Sequence, residues 1–316
     1  MARACYYGWM SASTSPSAFS TRDLVSALFV VLIWGTNFVA MKVGLRDLTP
    51  FQMGAARYIF AVLPLILFIR PPKLPVKWIV AYGLCQGVGQ FGLLFLSLKV
   101  GMSAALASVI LQTQVFFTAF FGFALLHERA SRALQAGLLL AAVGLVCFGM
   151  NYVQPGHAGG TTAGGFVLCL AAAAMWAASN IVVRRAQQAT PQFDVVGFMV
   201  WCSLVPILPF VGLSLAFDDP ATRWSWTSAP LATWISAAYL GWMATILGYA
   251  MWTRLLKRHP VNRVAPFSLG VPVVGISAGM IALGDVITGW QWAGIALIVA
   301  SLICTMFGGR WLGQRG

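Results

Sequence analysis

The chain has 316 residues, 59% of them hydrophobic and 9% charged, with a mean hydropathy of +0.83; soluble domains carry roughly 45–50% apolar and about 25% charged residues, so a soluble enzyme is excluded. A formal net charge of +13 would suit a nucleic-acid partner, but so few charges beside 13 tryptophans describe an integral membrane protein with basic loops and no nucleic-acid partner. Six cysteines (Cys5, Cys85, Cys147, Cys169, Cys202, Cys304) show no CxxC spacing and no nearby histidine. They read as small packing residues, and neither metal nor cofactor is expected.

Residues 1–22 lack the continuous apolar run of about 7–15 residues that a cleaved signal needs, and are expected to form a disordered cytoplasmic tail. Crossing a hydrocarbon core of about 30 Å takes about 20 mostly apolar residues in a helix. Ten such runs follow: Leu24–Leu45, Phe51–Ile69, Val76–Leu98, Ser103–Leu126, Ala133–Met150, Ala163–Val183, Phe193–Phe217, Ala229–Leu256, Val261–Leu283 and Thr288–Gly308. None alternates in the roughly ten-residue pattern of a membrane barrel, and backbone polar groups in lipid must bond within their own segment. The expectation is an all-α bundle of ten transmembrane helices. With both termini cytoplasmic, 15 of the 20 Lys and Arg fall inside and four (Lys42, Arg46, Lys99, Arg223) outside. This positive-inside asymmetry accounts for the net charge.

The second half of the chain echoes the first. Trp34, Asn37 and Lys42 in the first run correspond to Trp176, Asn180 and Arg185 in the sixth, and Thr49-Pro50 corresponds to Thr190-Pro191. The loop with Gly122, Glu128 and Gly137 matches the loop with Gly279, Asp285 and Gly294 in the pattern G-x5-[E/D]-x8-G. Two five-helix units are expected, 23–151 and 163–308, joined by an external linker, 152–162, and followed by a cytoplasmic tail, 309–316. Five is odd, so the second unit enters the membrane from the opposite side. Many secondary transporters are built from such inverted repeats, with the substrate site near the midplane where the repeats meet.

Polar side chains within the runs are the candidate solute contacts, because facing lipid would leave them unsatisfied. Trp34 with Asn37, and Trp176 with Asn180, each share one helix face, either lining a cavity or bonding between helices. Arg57 is the one clear intramembrane charge, about two turns inside the second run. It either snorkels to the headgroups, attracts a substrate carboxylate or bonds helix C-terminal carbonyls. Gln86 and Gln90 lie four apart near mid-depth, both candidates, with one of them expected to line a cavity. Gln112 and Gln114 are two apart and point about 200° apart in an α-helix, so only one of them, Gln112 being the candidate, is expected to reach a cavity. Trp201, beside Pro206 and Pro209, and the pair Tyr249 and Trp252 are candidate aromatic walls, whereas Trp78, Trp224, Trp226, Trp290 and Trp311 suit the membrane interface. Pro266 and Pro272 are expected to kink the ninth helix and are candidate gating positions. The seven acids and the three histidines fall outside the runs or, as with Asp194, at the very end of one, which disfavours a buried proton relay. Gly275-Ile276-Ser277-Ala278-Gly279 fits a hydrolase G-x-S-x-G pattern, but mid-helix and without an intramembrane histidine it reads as close-packing G-x-x-x-G, leaving an intramembrane enzyme as a remote alternative.

The strings WGTNFVAMKVGL, Ala56-Arg57-Tyr58 and Glu128-Arg129 with Gly137 resemble the EamA family of the drug/metabolite transporter superfamily. GMSAALASVILQTQVFFTAFFGFALLHER and RVAPFSLGVPVVG are most similar to its O-acetylserine/cysteine exporters. The resemblance covers about 24–307, with Gly284-Asp285-Val286 departing from the Glu-Arg pattern. It implies a 5+5 inverted bundle, working as a monomer-sized unit, that moves small polar metabolites outward across a bacterial plasma membrane, or as an alternative a broader range of drugs and aromatic metabolites. A reporter active only in the cytoplasm should work when fused to either terminus; activity at one terminus alone would break the 5+5 arrangement.

Overall fold

The structure is a computed structural model that describes residues 20–126, 132–152, 161–190, 193–259 and 261–311. Nearly all of the expected N-terminal tail, the turn carrying His127, Glu128 and Arg129, most of the linker with His157, and the end of the C-terminal tail lie outside the described residues. Ten helical segments form the bundle: α1 (Thr21–Gly44), α2 (Pro50–Val62), α3 (Val76–Val100), α4 (Ala104–Ala124), α5 (Arg132–Met150), α6 (Ala163–Ala189), α7 (Val195–Phe217), α8 (Leu231–Arg258), α9 (Ala265–Leu283) and α10 (Gly289–Trp311). Nine of them are long and apolar enough to cross a membrane. The tenth, α2, corrects the expected run to Ile69. It has 13 residues and ends before Pro64, whose missing N–H and ring bar further α-helix; the chain then continues as a short 3-10 turn, Leu65–Leu67.

Side chains cap the helix starts. Ser20 and Asp23 form a capping box on α1, Thr49 and Gln52 form one on α2 with Pro50 at its first turn, and Thr162 and Asp194 accept from the first backbone amides of α6 and α7. At the far ends of α1 and α3 the lysines cross over. Lys42 Nζ donates to Leu98 O and Lys99 Nζ to Leu45 O, both at 2.8 Å, so each helix's last carbonyls are met by its neighbour's cation.

Packing follows a regular pattern. Helix α1 lies against α8 and α9, and α6 lies against α3 and α4; α2 pairs with α7, α4 with α9 and α5 with α10. Exchanging each helix for the one five places on maps these pairings onto one another, although α2 packs more closely on α8 than α7 does on α3, and α1 also meets α4. Exposed apolar side chains form single stripes on outer faces, such as Val25, Leu28, Phe29 and Leu32 on α1 and Leu139, Val143 and Val146 on α5. Stripes of this kind suit contact with lipid chains.

Both α3 and α8 are wound wide at their centres, as π-helix over Gly83–Phe91 and Tyr239–Leu247. Close glycine contacts seat the second of these against α2. A Cβ on Gly241 would stand 2.7 Å from Arg57 O and 2.8 Å from Ala61 N, backbone atoms that cannot turn aside. Gly241→Ala should therefore lower the thermal midpoint in detergent, with overpacking costing about 1–3 kcal/mol. Gly212→Ala, where a Cβ meets nothing within 4 Å, should leave it unchanged or raise it.

Candidate functional site

A cavity of about 320 Å³ opens at the centre of the bundle, within the range of about 300–1,000 Å³ found for small-molecule sites. Both halves of the chain line it. Trp34, Asn37, Phe38 and Met41 come from α1, Arg57 from α2, Gln90, Phe91 and Leu94 from α3, and Gln112 and Gln114 from α4. Trp176 and Asn180 come from α6, Ala244, Tyr249 and Trp252 from α8, Ser268 and Val271 from α9, and Leu302 and Met306 from α10.

One wall is aromatic. Trp34 packs at 5.2 Å from Tyr249 and 5.4 Å from Trp252, ring centre to ring centre, and its indole N–H donates to Ala244 O at 3.0 Å. That carbonyl belongs to the π-helical stretch of α8, where the wider winding leaves backbone oxygens open to side chains. The opposite wall carries amides. Asn180 Nδ2 donates to Gln114 Oε1 at 2.9 Å and to Thr118 Oγ1 at 3.2 Å, and Gln112 Nε2 donates to Ser268 O at 3.3 Å. Asn37 Nδ2 is turned back to Trp34 O at 3.3 Å, which leaves its buried Oδ1 without a hydrogen-bond partner; Gln90 Oε1 is likewise buried and unpartnered.

Arg57 forms the charged corner. Its side chain is 2% exposed, so it does not snorkel. The guanidinium lies 3.6 Å above the centre of the Phe91 ring and donates once, from Nη2 to Thr245 Oγ1 at 2.9 Å; Nε and Nη1 have no partner. Thr245 in turn donates to Leu240 O, five residues back, inside the same π stretch.

Three expectations change. Of the glutamine pair, Gln90 lines the cavity whereas Gln86 stays out of it, its amide held by bonds to Ser179 Oγ of α6 and Tyr249 Oη of α8 beside a much smaller gap. Trp201 is also outside the cavity. Its indole donates to Ile69 O at 3.1 Å, and the ring packs against a separate cluster containing Tyr82 and Phe198; mid-span depth does not fix which face a side chain takes. Conversely, Gln112 and Gln114 both line the cavity. Residues Leu111–Thr113 form a 3-10 turn at three residues per turn, so the two amides diverge by about 120° rather than 160°. Pro266 and Pro272 stand in the 3-10 start (Ala265–Leu269) and in the first turn of the α-helical part (Gly270–Leu283), where the winding of the ninth helix changes; Ser268 O, four residues before Pro272, accepts from Gln112 Nε2 instead.

Thr245, Ser268 and Gln114 were not among the expected site residues. Thr245 could have been found by position, since Gln90 and Thr245 each stand fourteen residues after the first residue of α3 and α8. Gly275 and Gly279 meet Ser108 and Ala105 of α4 in a close helix contact.

Comparison with known sequences decides the family. Residues 22–150, and again residues 163–307, match the EamA-like transporter family. The chain belongs to that family. A probable amino-acid metabolite efflux pump of Salmonella typhimurium is 41% identical over 293 residues, covering 92% of this chain and 97% of that protein. Its Escherichia coli counterpart of the same name is 38% identical over the same shares. A probable terminal-alkyne amino-acid exporter of Streptantibioticus cattleyicolor is 25% identical over 91% and 94% of the two chains. A solved crystal structure at 18% identity, covering 92% of this chain and 98% of its own, superposes with a TM-score of 0.60, a likeness of fold.

The geometry of the cavity can be checked by thiol labelling in a background freed of native cysteines. Asn37→Cys, Gln112→Cys and Asn180→Cys should react with a small polar thiol reagent. Ser97→Cys, fully buried and bonded to Gly165 O, should not; equal reactivity of all four would contradict the described cavity.

Proposed function

We propose that this protein is a secondary transporter that exports small polar metabolites, amino acids or derivatives of the cysteine and O-acetylserine type, across a bacterial inner membrane by alternating access. The observation carrying this reading is the cavity itself, to which the matching pairs Trp34/Asn37 and Trp176/Asn180 contribute from the two halves. The exchange symmetry of the helix pairings, together with the two separate family matches, supports an inverted 5+5 repeat with both termini cytoplasmic. The names of the Salmonella and Escherichia relatives support the solute class. On this reading Trp34, Asn37, Arg57, Gln90, Gln112, Gln114, Trp176, Asn180, Tyr249 and Trp252 contact the solute.

Among the described residues no Asp, Glu or His lines the cavity. Solute flux is accordingly proposed to follow the solute's own gradient, without a proton carried by the cavity wall. The aromatic wall favours, as a second reading, aromatic or drug-like solutes, for which Trp34, Tyr249 and Trp252 would supply stacking surface.

Proteoliposomes containing the purified chain should release radiolabelled cysteine or O-acetylserine in a saturable manner, unaltered by an imposed pH gradient. Asn180→Trp, which fills the cavity, should cut that flux by about tenfold or more while the protein elutes as folded. Equal flux in protein-free liposomes would sink the proposal, and strong dependence on the pH gradient would sink its uncoupled form.

A further inference from the structure

Resting on the transport reading above, we infer that Arg57 is the specificity-determining residue, recognising a free carboxylate on the solute, and that the cavity consequently rejects carboxyl-blocked and net-cationic solutes.

The argument begins with what Arg57 lacks. Guanidinium groups hold five N–H donors and stay charged. Here one bond to Thr245 and one aromatic face serve a group that is 2% exposed. A cation–π contact offsets only part of what burying an ion costs. The contacts described leave the charge undercompensated. Among the described residues no acid lines the cavity that would balance it, and Nε and Nη1 are buried donors with nothing to bond. Nη2 carries a second N–H besides the one given to Thr245, and with the free Nε–H on one edge or the free Nη1 on the other it forms the planar fork that matches the two oxygens of a carboxylate, the geometry in which charge-assisted bonds are strongest.

The same cavity offers acceptors for the other end of an amino acid. Asn37 Oδ1 and Gln90 Oε1 are buried and unpartnered, and Asn37's orientation is fixed by the bond its Nδ2 makes to Trp34 O. These neutral oxygens can receive an ammonium group when a carboxylate accompanies it. They cannot offset a solute whose only charge is positive, because Arg57 then stands as an unrelieved like charge. The wall thus discriminates by charge pattern, and its aromatic side tolerates different side chains.

The test uses the full chain in proteoliposomes and measures inhibition of radiolabelled cysteine uptake by four thiol compounds: cysteine, 3-mercaptopropionate, cysteinamide and cysteamine. Cysteine and 3-mercaptopropionate, which keep the carboxylate, should inhibit about tenfold or more better than cysteinamide, in line with the strength of hydrogen bonds to charged groups. Cysteamine should be the weakest. Arg57→Lys should keep part of the preference for carboxylates, and Arg57→Met should lose it. A purely structural arginine would lower the amount of folded protein without changing the order of inhibitors. The wild-type measurement needs no variant to fold: saturable cysteine flux inhibited equally by cysteine and cysteinamide overturns this inference alone. Absence of saturable cysteine flux overturns it together with the proposed cysteine-type solute, and absence of saturable flux for O-acetylserine as well overturns the amino-acid transport reading.

Discussion

Everything in this bundle depends on one constraint: inside hydrocarbon, each backbone N–H and C=O must find its partner within the helix that carries it. That is why the ten apolar runs become helices. It is also why departures from regular winding matter. At Gly83–Phe91 and Tyr239–Leu247 the helices widen, and the site borrows the backbone there. Ala244 O takes the Trp34 indole, and Leu240 O takes Thr245, which in turn meets Arg57. Both wide stretches face the cavity, one through Gln90 and the other through Ala244. A chain of local winding, a hydroxyl and a guanidinium therefore connects the backbone to the cavity's one fixed charge.

Charge is distributed by the same economy. The described acids stand at or near helix ends, where backbone donors or neighbouring chains satisfy them. Asp194 caps α7, Asp218 accepts from Thr49 and Ser214, Asp47 accepts from Thr233, and Asp285 accepts from Ala105 N at the start of α4. Asp23 sits in the first turn of α1 and pairs with Arg258 at 2.8 Å and with the buried His259 at 3.0 Å. With the described carboxylates committed to ends, the interior keeps a positive charge set among neutral amides and aromatic rings. The electrostatic character of the cavity is thus a consequence of where the acids are used for helix capping and tying.

The fold was legible in composition because membrane spans announce themselves by length and apolarity, and nine of the ten have both. The tenth, α2, was legible as a span but not in its extent, since the apolar residues after Pro64 look the same to a hydropathy reading whether or not they continue the helix. The site was partly legible. Trp34, Asn37, Trp176 and Asn180 stand out as polar or amphipathic groups at matching places in two apolar helices, and their side chains share the cavity. Where the reading failed, the cause was helix phase. Assigning a face from spacing assumes 3.6 residues per turn, and this protein departs from it where the cavity is built, with a 3-10 turn between Gln112 and Gln114; Gln86, four residues from Gln90, is drawn instead to Ser179 and Tyr249. Trp201 failed for another reason, since a large side chain at mid-depth can satisfy its indole on a neighbouring carbonyl without approaching the centre.

The two ends of the bundle are closed by different chemistry, and on the proposed reading that difference bears on how it opens. Helix α4 begins beside the ends of α1 and α3, which the Lys42 and Lys99 bonds hold together, so the Asp285 bond to Ala105 N ties α9 to α4 at that end. The Asp23 pairings with Arg258 and His259 tie α1 to α8 at the other. Each tie joins an element of one half to an element of the other. A rocking motion that exposes the cavity to one side would loosen the ties at one end while those at the other persist, the Asp47–Thr233 and Thr49–Asp218 bonds adding to the end that Asp285 ties. One tie is a carboxylate on a backbone amide; the other is a partly buried ionic cluster whose Arg258 side chain is 51% exposed. Water reaches the second more readily and screens it more. Alternation between the two sides then turns on a contrast already present at the helix ends, while α5 and α10, packed along each other through the facing Gly144 and Gly294, form a seam that need not move.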